Sequence, residues 1–322
     1  MHVLVTGCAG FIGSHLCEKL LAAGHLVTGV DSLTEYYDPA IKRRNLEACL
    51  RSPRFHFLQK SVDRLDAGVL RAAECIYHLA GRPGVRNSWS GEFPFYVADN
   101  ILTTQHLLER VVGSPRLRRF VFASSSSVYG NTPCDQVSEQ AVPNPFSPYG
   151  VTKLSAEHLC SLYAENFGVP TVSMRLFTVC GPRQRPDMLL SRLISAALDG
   201  GVFTLYGSGE VRRDFTAVAD VVDALLLAAD CTSSHRVFNI SGGQPVAVSD
   251  VIRMVQEVTG AHIAVERAGS QYGDVRHTAA DLTRARSELG YVPSWRIEDT
   301  VRAQVEFTNT LRAAELAAAR SD

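Results

Sequence analysis

The stretch HVLVTGCAGFIGSH, residues 2–15, decides the fold of this chain. A β-branched apolar run leads into Gly7, Gly10 and Gly13, which stand three residues apart, and an amphipathic pattern follows them. A phosphate can approach the backbone only where side chains are absent, and the start of a helix offers free N–H groups. Strand, glycine turn and helix therefore predict a dinucleotide-binding unit. A glycine turn without a ligand is the alternative.

The next predicted strand, LVTGV (26–30), favours the ligand. It ends at Asp31, close to the spacing of about 20 residues that puts a carboxylate on a ribose diol. Because a carboxylate there would repel a 2′-phosphate, NAD is favoured over NADP. The stretch HLAG (78–81) ends the fourth predicted strand with small residues, as expected where a sheet edge passes close to a cofactor.

Outside this unit, short β-branched runs alternate with amphipathic segments. The predicted strands are 2–7, 26–30, 55–60, 75–80, 119–124 and 171–177. Such alternation predicts an α/β fold, with a Rossmann-type doubly wound parallel sheet. The later part is less regular, and we expect a smaller C-terminal substrate-binding lobe there. We expect a cofactor domain over 1–177, to which 215–240 return, and a substrate lobe over 178–214 and 241–322.

The bulk composition limits the function. Of 322 residues, 46% are apolar and 20% charged, and a net charge of −1 argues against a nucleic-acid partner. The eight cysteines are scattered without metal-ligand spacing, so we expect reduced, packing cysteines and no metal. We expect no signal peptide and no membrane span, which favours the cytoplasm.

Tyr149 and Lys153 stand four apart in NPFSPYGVTKL (144–154). Ser147 suits the helix N-cap and Pro148 the first helical position. The helix start and the nearby ammonium are expected to lower the pKa of Tyr149, as a general base requires. The alternative is an exposed pair without a role.

A run of serines lies in FASSSSVYG (122–130), at the end of the fifth predicted strand. Ligands bind at the carboxyl ends of parallel strands, so we expect these hydroxyls to face a substrate. Because strand side chains alternate, Ser125 and Ser127 share one face. We expect that pair to face the site.

Together, the glycine turn, Asp31, the serine run before VYG and Tyr149-x-x-x-Lys153 resemble the extended short-chain dehydrogenase/reductase superfamily, and within it the nucleotide-sugar 4-epimerases. The resemblance implies that Tyr149 is the base, that Lys153 anchors the nicotinamide ribose, and that Ser125 binds the reacting sugar oxygen. A departure is Ser61, where the family often has an acid near the adenine, with Asp63 two residues on.

The resemblance also implies the ligand contacts. Arginines of GEVRRDF and GDVRHTAAD match the diphosphate site, and solvated charges are the alternative. The expected NAD contacts are Gly7, Gly10, Phe11, Ile12, Gly13, Asp31, Ser32, Asp63, Leu79, Ala80 and Lys153. The expected UDP-sugar contacts are Arg86, Ser125, Ser126, Ser127, Tyr149, Thr178, Arg185, Arg213, Asp274 and Arg276. It further implies a homodimer through helices near 95–112 and 149–166.

Serines stand where related dehydratases and decarboxylases carry acids, at Ser126 and Ser127, so epimerisation is the expected reaction. RLFTVCGPRQRPDM (175–188) resembles the uronate 4-epimerases, in which Thr178 and Arg185 would hold a C5 carboxylate. We expect conversion of UDP-glucuronate to UDP-galacturonate. The alternatives are a UDP-glucose or UDP-N-acetylglucosamine 4-epimerase, for which Thr278 leaves room, a UDP-glucuronate decarboxylase, and a non-catalytic NAD(H)-binding protein.

Overall fold

A computed structural model describes residues 1–132, 136–269, 271–275 and 277–319. The strands are β1 (His2–Thr6), β2 (Leu26–Val30), β3 (Phe55–Leu58), β4 (Cys75–His78), β5 (Arg119–Ser125), β6 (Thr171–Leu176), β7 (Thr178–Cys180), β8 (Val202–Tyr206), β9 (Arg212–Ala217), β10 (Val237–Ile240), β11 (Pro245–Ala247) and β12 (Ala264–Ala268). The helices are α1 (Phe11–Ala22), α2 (Pro39–Leu50), α3 (Ala67–Ala72), α4 (Phe93–Tyr96), α5 (Thr103–Val111), α6 (Pro148–Phe167), α7 (Leu189–Asp199), α8 (Val218–Ala229), α9 (Val248–Thr259) and α10 (Ile297–Ala319).

Seven strands form the main sheet, in the order β10-β6-β5-β4-β1-β2-β3, and each neighbouring pair is parallel. The six strands predicted for the first part of the chain are confirmed, and their ends move by at most two residues. The strand order reverses between β1 and β4, which is the switch point where doubly wound sheets bind ligands. The predicted Rossmann-type fold is confirmed.

Alternation along the strands explains the helices on both faces. Val3 and Val5 pack in one buried cluster with residues of α1, α2 and α8, whereas Leu4 packs in another with residues of α3, α5 and α6. A fully buried parallel strand needs apolar residues on both faces, which the run HVLVT supplies. Both faces of the sheet are therefore covered.

A second, smaller assembly follows β6. It has a three-stranded sheet β11-β9-β7, a parallel pair β12-β8, and a cluster of its own that includes Leu193, Phe203, Val251 and Val301. The strand β10 leaves this part and pairs with β6, with Val237 opposite Ser173. The exact division of the chain into domains stays a prediction.

The cysteines within residues 1–132, 136–269, 271–275 and 277–319, the part of the chain that the structure describes, are packed in the interior. Seven cysteines are free and buried, and the eighth, Cys134, lies outside the described residues. Within these ranges, no cluster of three or more His, Cys, Asp or Glu side chains could hold a metal ion. Nor does any helix there have the length and apolar character needed to cross a bilayer.

Candidate active site

One cavity of about 450 Å³ lies at the carboxyl ends of the parallel strands. It brings together residues that are far apart in sequence, including the glycine turn, the ends of β2 and β4, the serine run, the start of α6, and the segment that follows β6. The expected site residues that line it are Gly7, Gly10, Phe11, Ile12, Gly13, Asp31, Ser32, Leu79, Ala80, Ser125, Ser126, Ser127, Tyr149, Lys153, Thr178 and Arg185. Expected cofactor and substrate contacts thus share one space.

The glycine turn is tight enough to exclude side chains. Gly7 has φ +72°, and a Cβ added to it would lie 2.8 Å from the backbone nitrogen of Ala80. A Cβ on Gly13 would lie 2.1 Å from the Gly7 carbonyl oxygen. Helix α1 begins at Phe11, directly after the turn, and exposes its first N–H groups to the cavity. This cradle fits a dinucleotide phosphate.

Asp31 is fixed at the end of β2. Its Oδ2 accepts a hydrogen bond from the Ala9 N–H at 3.1 Å, and its Oδ1 accepts one from the Leu33 N–H at 2.8 Å. Burial raises the pKa of the Asp31 carboxyl, and these two bonds and the nearby Lys42 charge oppose the rise. The remaining lone pairs of a positioned carboxylate suit a ribose diol.

Helix α6 begins as predicted. The Ser147 hydroxyl oxygen accepts a hydrogen bond from the Gly150 N–H at 3.1 Å, and Pro148 takes the first helical position. This cap places Tyr149 in the first turn and Lys153 one turn later, both on the cavity lining. The Lys153 ammonium donates a hydrogen bond to the Ala123 carbonyl oxygen at 2.9 Å. Burial lowers the pKa of Lys153 to about 8.

The prediction that Lys153 and the helix start lower the pKa of Tyr149 is wrong for the protein chain alone. Burial raises the pKa of Tyr149, and a hydrogen bond with the Ser125 side chain and the positive charge of Arg185 oppose this only in part. The Lys153 ammonium is engaged with Ala123. Desolvation of the phenolate is therefore the dominant effect.

The serine run divides between two directions. The Ser125 hydroxyl accepts a hydrogen bond from the Ser127 N–H at 3.1 Å, whereas the Ser124 hydroxyl donates to Glu157 at 2.6 Å. Strand alternation ends at Ser125, because a 3₁₀ turn (Ser126–Val128) follows. All four serines, Ser124 to Ser127, line the cavity, contrary to the expected alternation.

Residues 3–241 match the family described as "Epimerase: NAD dependent epimerase/dehydratase family". The chain belongs to this family. Its cofactor is NAD, and the glycine turn, Asp31 and Lys153 lie where they could hold it.

Relatives of this epimerase/dehydratase family chain cover almost its full length. A Bacillus subtilis protein described as an uncharacterized UDP-glucose epimerase, YtcB, is 39% identical over 98% of the chain and 100% of its own length. A probable UDP-glucuronate 4-epimerase of Rhizobium meliloti is 34% identical, covering 95% of the chain and 96% of that protein. The crystal structure of the Bacillus cereus UDP-glucuronic acid 4-epimerase with UDP-glucuronic acid and NAD has a TM-score of 0.92 and 38% identity, covering 97% and 100% of the two chains.

The expected diphosphate residues of this family member form a second cluster. An Arg86 nitrogen donates to an Asp274 carboxylate oxygen at 2.9 Å, and the Arg86 guanidinium lies 4.3 Å from the Tyr206 ring centroid. Arg213 donates to the Val275 carbonyl oxygen at 2.6 Å, and burial lowers its pKa. Within the described residues, the cavity lining does not include this cluster. Arg276 lies outside the described residues.

Four further residues named from the sequence can be located. Arg185 donates two hydrogen bonds of 3.0 Å to the two carboxylate oxygens of Asp187, and it lines the cavity with Thr178. The Thr278 hydroxyl accepts a hydrogen bond from the Asp214 N–H at 3.2 Å. Asp63 accepts one from the Ser61 hydroxyl; Ser61 lines the cavity, but among the described residues Asp63 is not part of that lining. Its adenine contact stays a prediction.

The sequence interpretation missed several lining residues, namely Tyr36, Tyr37, Lys42 and Arg82. The buried ammonium of Lys42 donates to the Thr34 carbonyl oxygen at 2.6 Å and lies 4.6 Å from the Tyr37 ring centroid. The Arg82 guanidinium donates to an Asp99 carboxylate oxygen at 3.0 Å. For Tyr36, Tyr37 and Lys42, the available signal in the sequence was the polar and aromatic run DSLTEYYDPAIK (31–42), directly after β2.

Proposed function

We propose that this protein is an NAD-dependent UDP-sugar 4-epimerase that interconverts UDP-glucuronate and UDP-galacturonate. The observation that carries the proposal is that Tyr149, Ser125 and the glycine turn line one cavity, in which the Ser125 side chain opposes the rise in the pKa of Tyr149. In its phenolate form, a tyrosine positioned in this way can take a hydroxyl proton beside a dinucleotide.

Each residue has one task in the proposed reaction. Tyr149 removes the proton from the C4 hydroxyl of the sugar, and Ser125 binds the same oxygen. When bound, NAD accepts the hydride from C4 and later returns it. Lys153 is held by Ala123 and lines the same cavity, where it offers its remaining N–H donors to the cofactor ribose.

Side chains beside the reacting carbons decide the outcome after oxidation. Elimination or loss of the carboxylate would be assisted by an acid near the neighbouring carbon. Ser126 and Ser127 occupy the sequence positions at which related dehydratases and decarboxylases carry acids. They line the cavity with hydroxyls rather than carboxyl groups. The 4-keto sugar therefore has one supported route, which is return of the hydride to its opposite face.

A uronate substrate needs a partner for its carboxylate. Thr178 and Arg185 line the cavity, and the planar guanidinium of Arg185 suits a carboxylate after exchange with Asp187. A 4-keto uronate is a β-keto acid and loses carbon dioxide readily. Holding the carboxylate out of alignment with the carbonyl suppresses this loss.

The test is incubation of the purified protein with UDP-glucuronate, UDP-glucose and UDP-N-acetylglucosamine, followed by chromatographic separation of the products. We expect UDP-galacturonate from the first sugar and slower or no conversion of the others. With deuterium at C4, the label should remain in the product. Tyr149→Phe should lower the rate by about 10²–10⁴-fold, the usual contribution of general base catalysis.

Two results would contradict the proposal: loss of the C4 label to water, or unaltered activity of Tyr149→Phe. Preferential conversion of UDP-glucose would instead favour the second candidate, a UDP-glucose 4-epimerase. The Bacillus subtilis relative, at 39% identity, supports that candidate.

We also propose that the protein acts as a cytoplasmic homodimer. On α6, Val151 and Leu162 are 45% and 52% exposed, and Phe95 and Leu102 near α5 are 52% and 48% exposed. Apolar side chains on two neighbouring helices would be covered in a dimer. Sedimentation should give a dimer that Leu162→Glu dissociates, and cell fractionation should recover the protein with cytoplasmic markers.

A further inference from the structure

One face of α6 carries three functional groups in succession. Tyr149, Lys153 and Glu157 follow each other at intervals of four residues, which places them one above the other. Each contacts the end of β5. Tyr149 lines the cavity together with Ser125, Lys153 donates a 2.9 Å bond to the Ala123 carbonyl oxygen, and Glu157 accepts a 2.6 Å bond from the Ser124 hydroxyl. Three consecutive strand residues thus fix the helix.

Glu157 is a buried carboxylate with a buried partner. Its side chain accepts hydrogen bonds from Arg175 Nε at 3.0 and 3.2 Å, and the residues are 3% and 4% exposed. Stability alone is a weak reason for such a pair, because apolar residues of similar volume often stabilise a protein equally well. The pair does provide a carboxylate of fixed position beside Ser124.

Arg175 is itself held from the far side. Its Nη1 donates to the Tyr129 hydroxyl oxygen at 2.8 Å, and that hydroxyl donates to Asn239 Oδ1 at 2.7 Å. Arg175 belongs to β6 and Asn239 to β10, so the network ties α6 to three adjacent strands of the sheet. The Glu157 carboxylate cannot move without breaking several buried hydrogen bonds.

We propose that Glu157 is a positioning residue for the reaction. Held by Arg175, its carboxylate accepts the Ser124 hydroxyl and so fixes the end of β5 against α6 at the separation that the Ser125–Tyr149 contact requires. The inference rests on the proposed function, because Ser125 and Tyr149 are the groups expected to touch the reacting oxygen.

The test compares two buried serines that contact the same helix. Ser124→Ala removes the link to Glu157 and leaves the Glu157–Arg175 pair in place. Ser173→Ala is the matched control: Ser173 is 2% exposed on β6, its side chain influences the pKa of Cys160 of α6, and it pairs with Phe122 of β5 rather than with the serine run. The holoenzymes are compared for melting temperature, bound NAD, kcat, KM, the C4-deuterium isotope effect and the pH dependence of kcat.

For Ser124→Ala we expect kcat to fall about 10- to 100-fold, as small misplacements of reacting groups do. The isotope effect should rise and the pH profile should shift, while KM and bound NAD stay near the wild-type values. Ser173→Ala should retain wild-type kcat and pH profile. Glu157→Gln should reproduce the loss in kcat and the shifted pH profile.

Matching kcat, isotope effect and pH profile in the two serine variants would overturn the inference, whatever their melting temperatures. If the wild-type protein converts none of the UDP-sugars, the proposed function fails. Crystal structures of the wild type, Ser124→Ala and Ser173→Ala then decide the inference. The distance between the Tyr149 and Ser125 hydroxyl oxygens should then differ from the wild-type distance in Ser124→Ala alone. An unchanged distance in that variant would overturn the positioning role.

Discussion

Gly13→Ala tests the account of the glycine turn, because the position lies within a helix. An ordinary helical glycine replaced by alanine stabilises a protein by up to about 1 kcal/mol. Here the new Cβ would lie 2.1 Å from the Gly7 carbonyl oxygen and 3.0 Å from Cys8 Cα, both backbone atoms that cannot rotate away. Overpacking costs about 1–3 kcal/mol, and so short a contact with backbone puts this site at the upper end; after the gain of about 1 kcal/mol is subtracted, we expect a net loss of about 2 kcal/mol.

That loss should lower the melting temperature by roughly 4–8 °C, at about 2–4 °C per kcal/mol. It should also reduce the NAD recovered per protomer after denaturation, because α1 must shift away from the turn. Gly68→Ala is the control, since this glycine of α3 has open space where a Cβ would be. The control should melt at or slightly above the wild-type temperature with full NAD content. A Gly13→Ala protein that behaves like this control would refute the reasoning.

Three further outcomes are expected. The pKa of Lys153 is lowered from its ordinary value of 10.5, which applies to the unfolded chain, to about 8 in the folded protein. Between these two pH values the unfolded chain therefore binds more protons. The wild-type free energy of unfolding should therefore rise across that range, relative to Lys153→Met, by on the order of 3 kcal/mol in urea titrations; equal slopes would contradict the shift. Asp31→Asn should weaken NAD binding and improve NADP binding in calorimetric titrations, and an unchanged preference would contradict the ribose contact. Thr178→Val should raise the fraction of UDP-pentose among the products, and an unaltered product mix would count against a carboxylate role.

Patterns confined to short stretches of sequence predicted the fold well. Strands such as β1 and β6 are short runs rich in apolar residues and buried almost throughout, so the pattern alone located them, although β3, FHFL, is only partly buried. The start of α6 was equally local, because Ser147 and Pro148 are adjacent to the helix that they begin. Such features depend on neighbours in sequence, which the sequence displays directly.

Contacts between distant residues were not predictable in the same way. The Arg86–Asp274 pair, the Arg175–Glu157 pair and the bond from Lys153 to Ala123 depend on how separate elements pack. The predicted direction of the pKa shift of Tyr149 was wrong for this reason, because the burial of Tyr149 comes from the surrounding fold rather than from its own helix. Tyr36, in the loop after β2, and Lys42, in α2, were missed as lining residues because nothing periodic in their local sequence marks which side chains reach the cavity.

The late arrival of β10 has a consequence during synthesis. The ribosome releases β6 well before Val237–Ile240. Until the chain reaches Ile240, β6 is therefore an unpaired edge strand, although all its residues are buried in the folded protein. Unpaired apolar edges are sites of intermolecular strand pairing. A fragment ending at Phe177 should therefore depend on chaperones and aggregate without them, although it contains the whole glycine turn and both Tyr149 and Lys153.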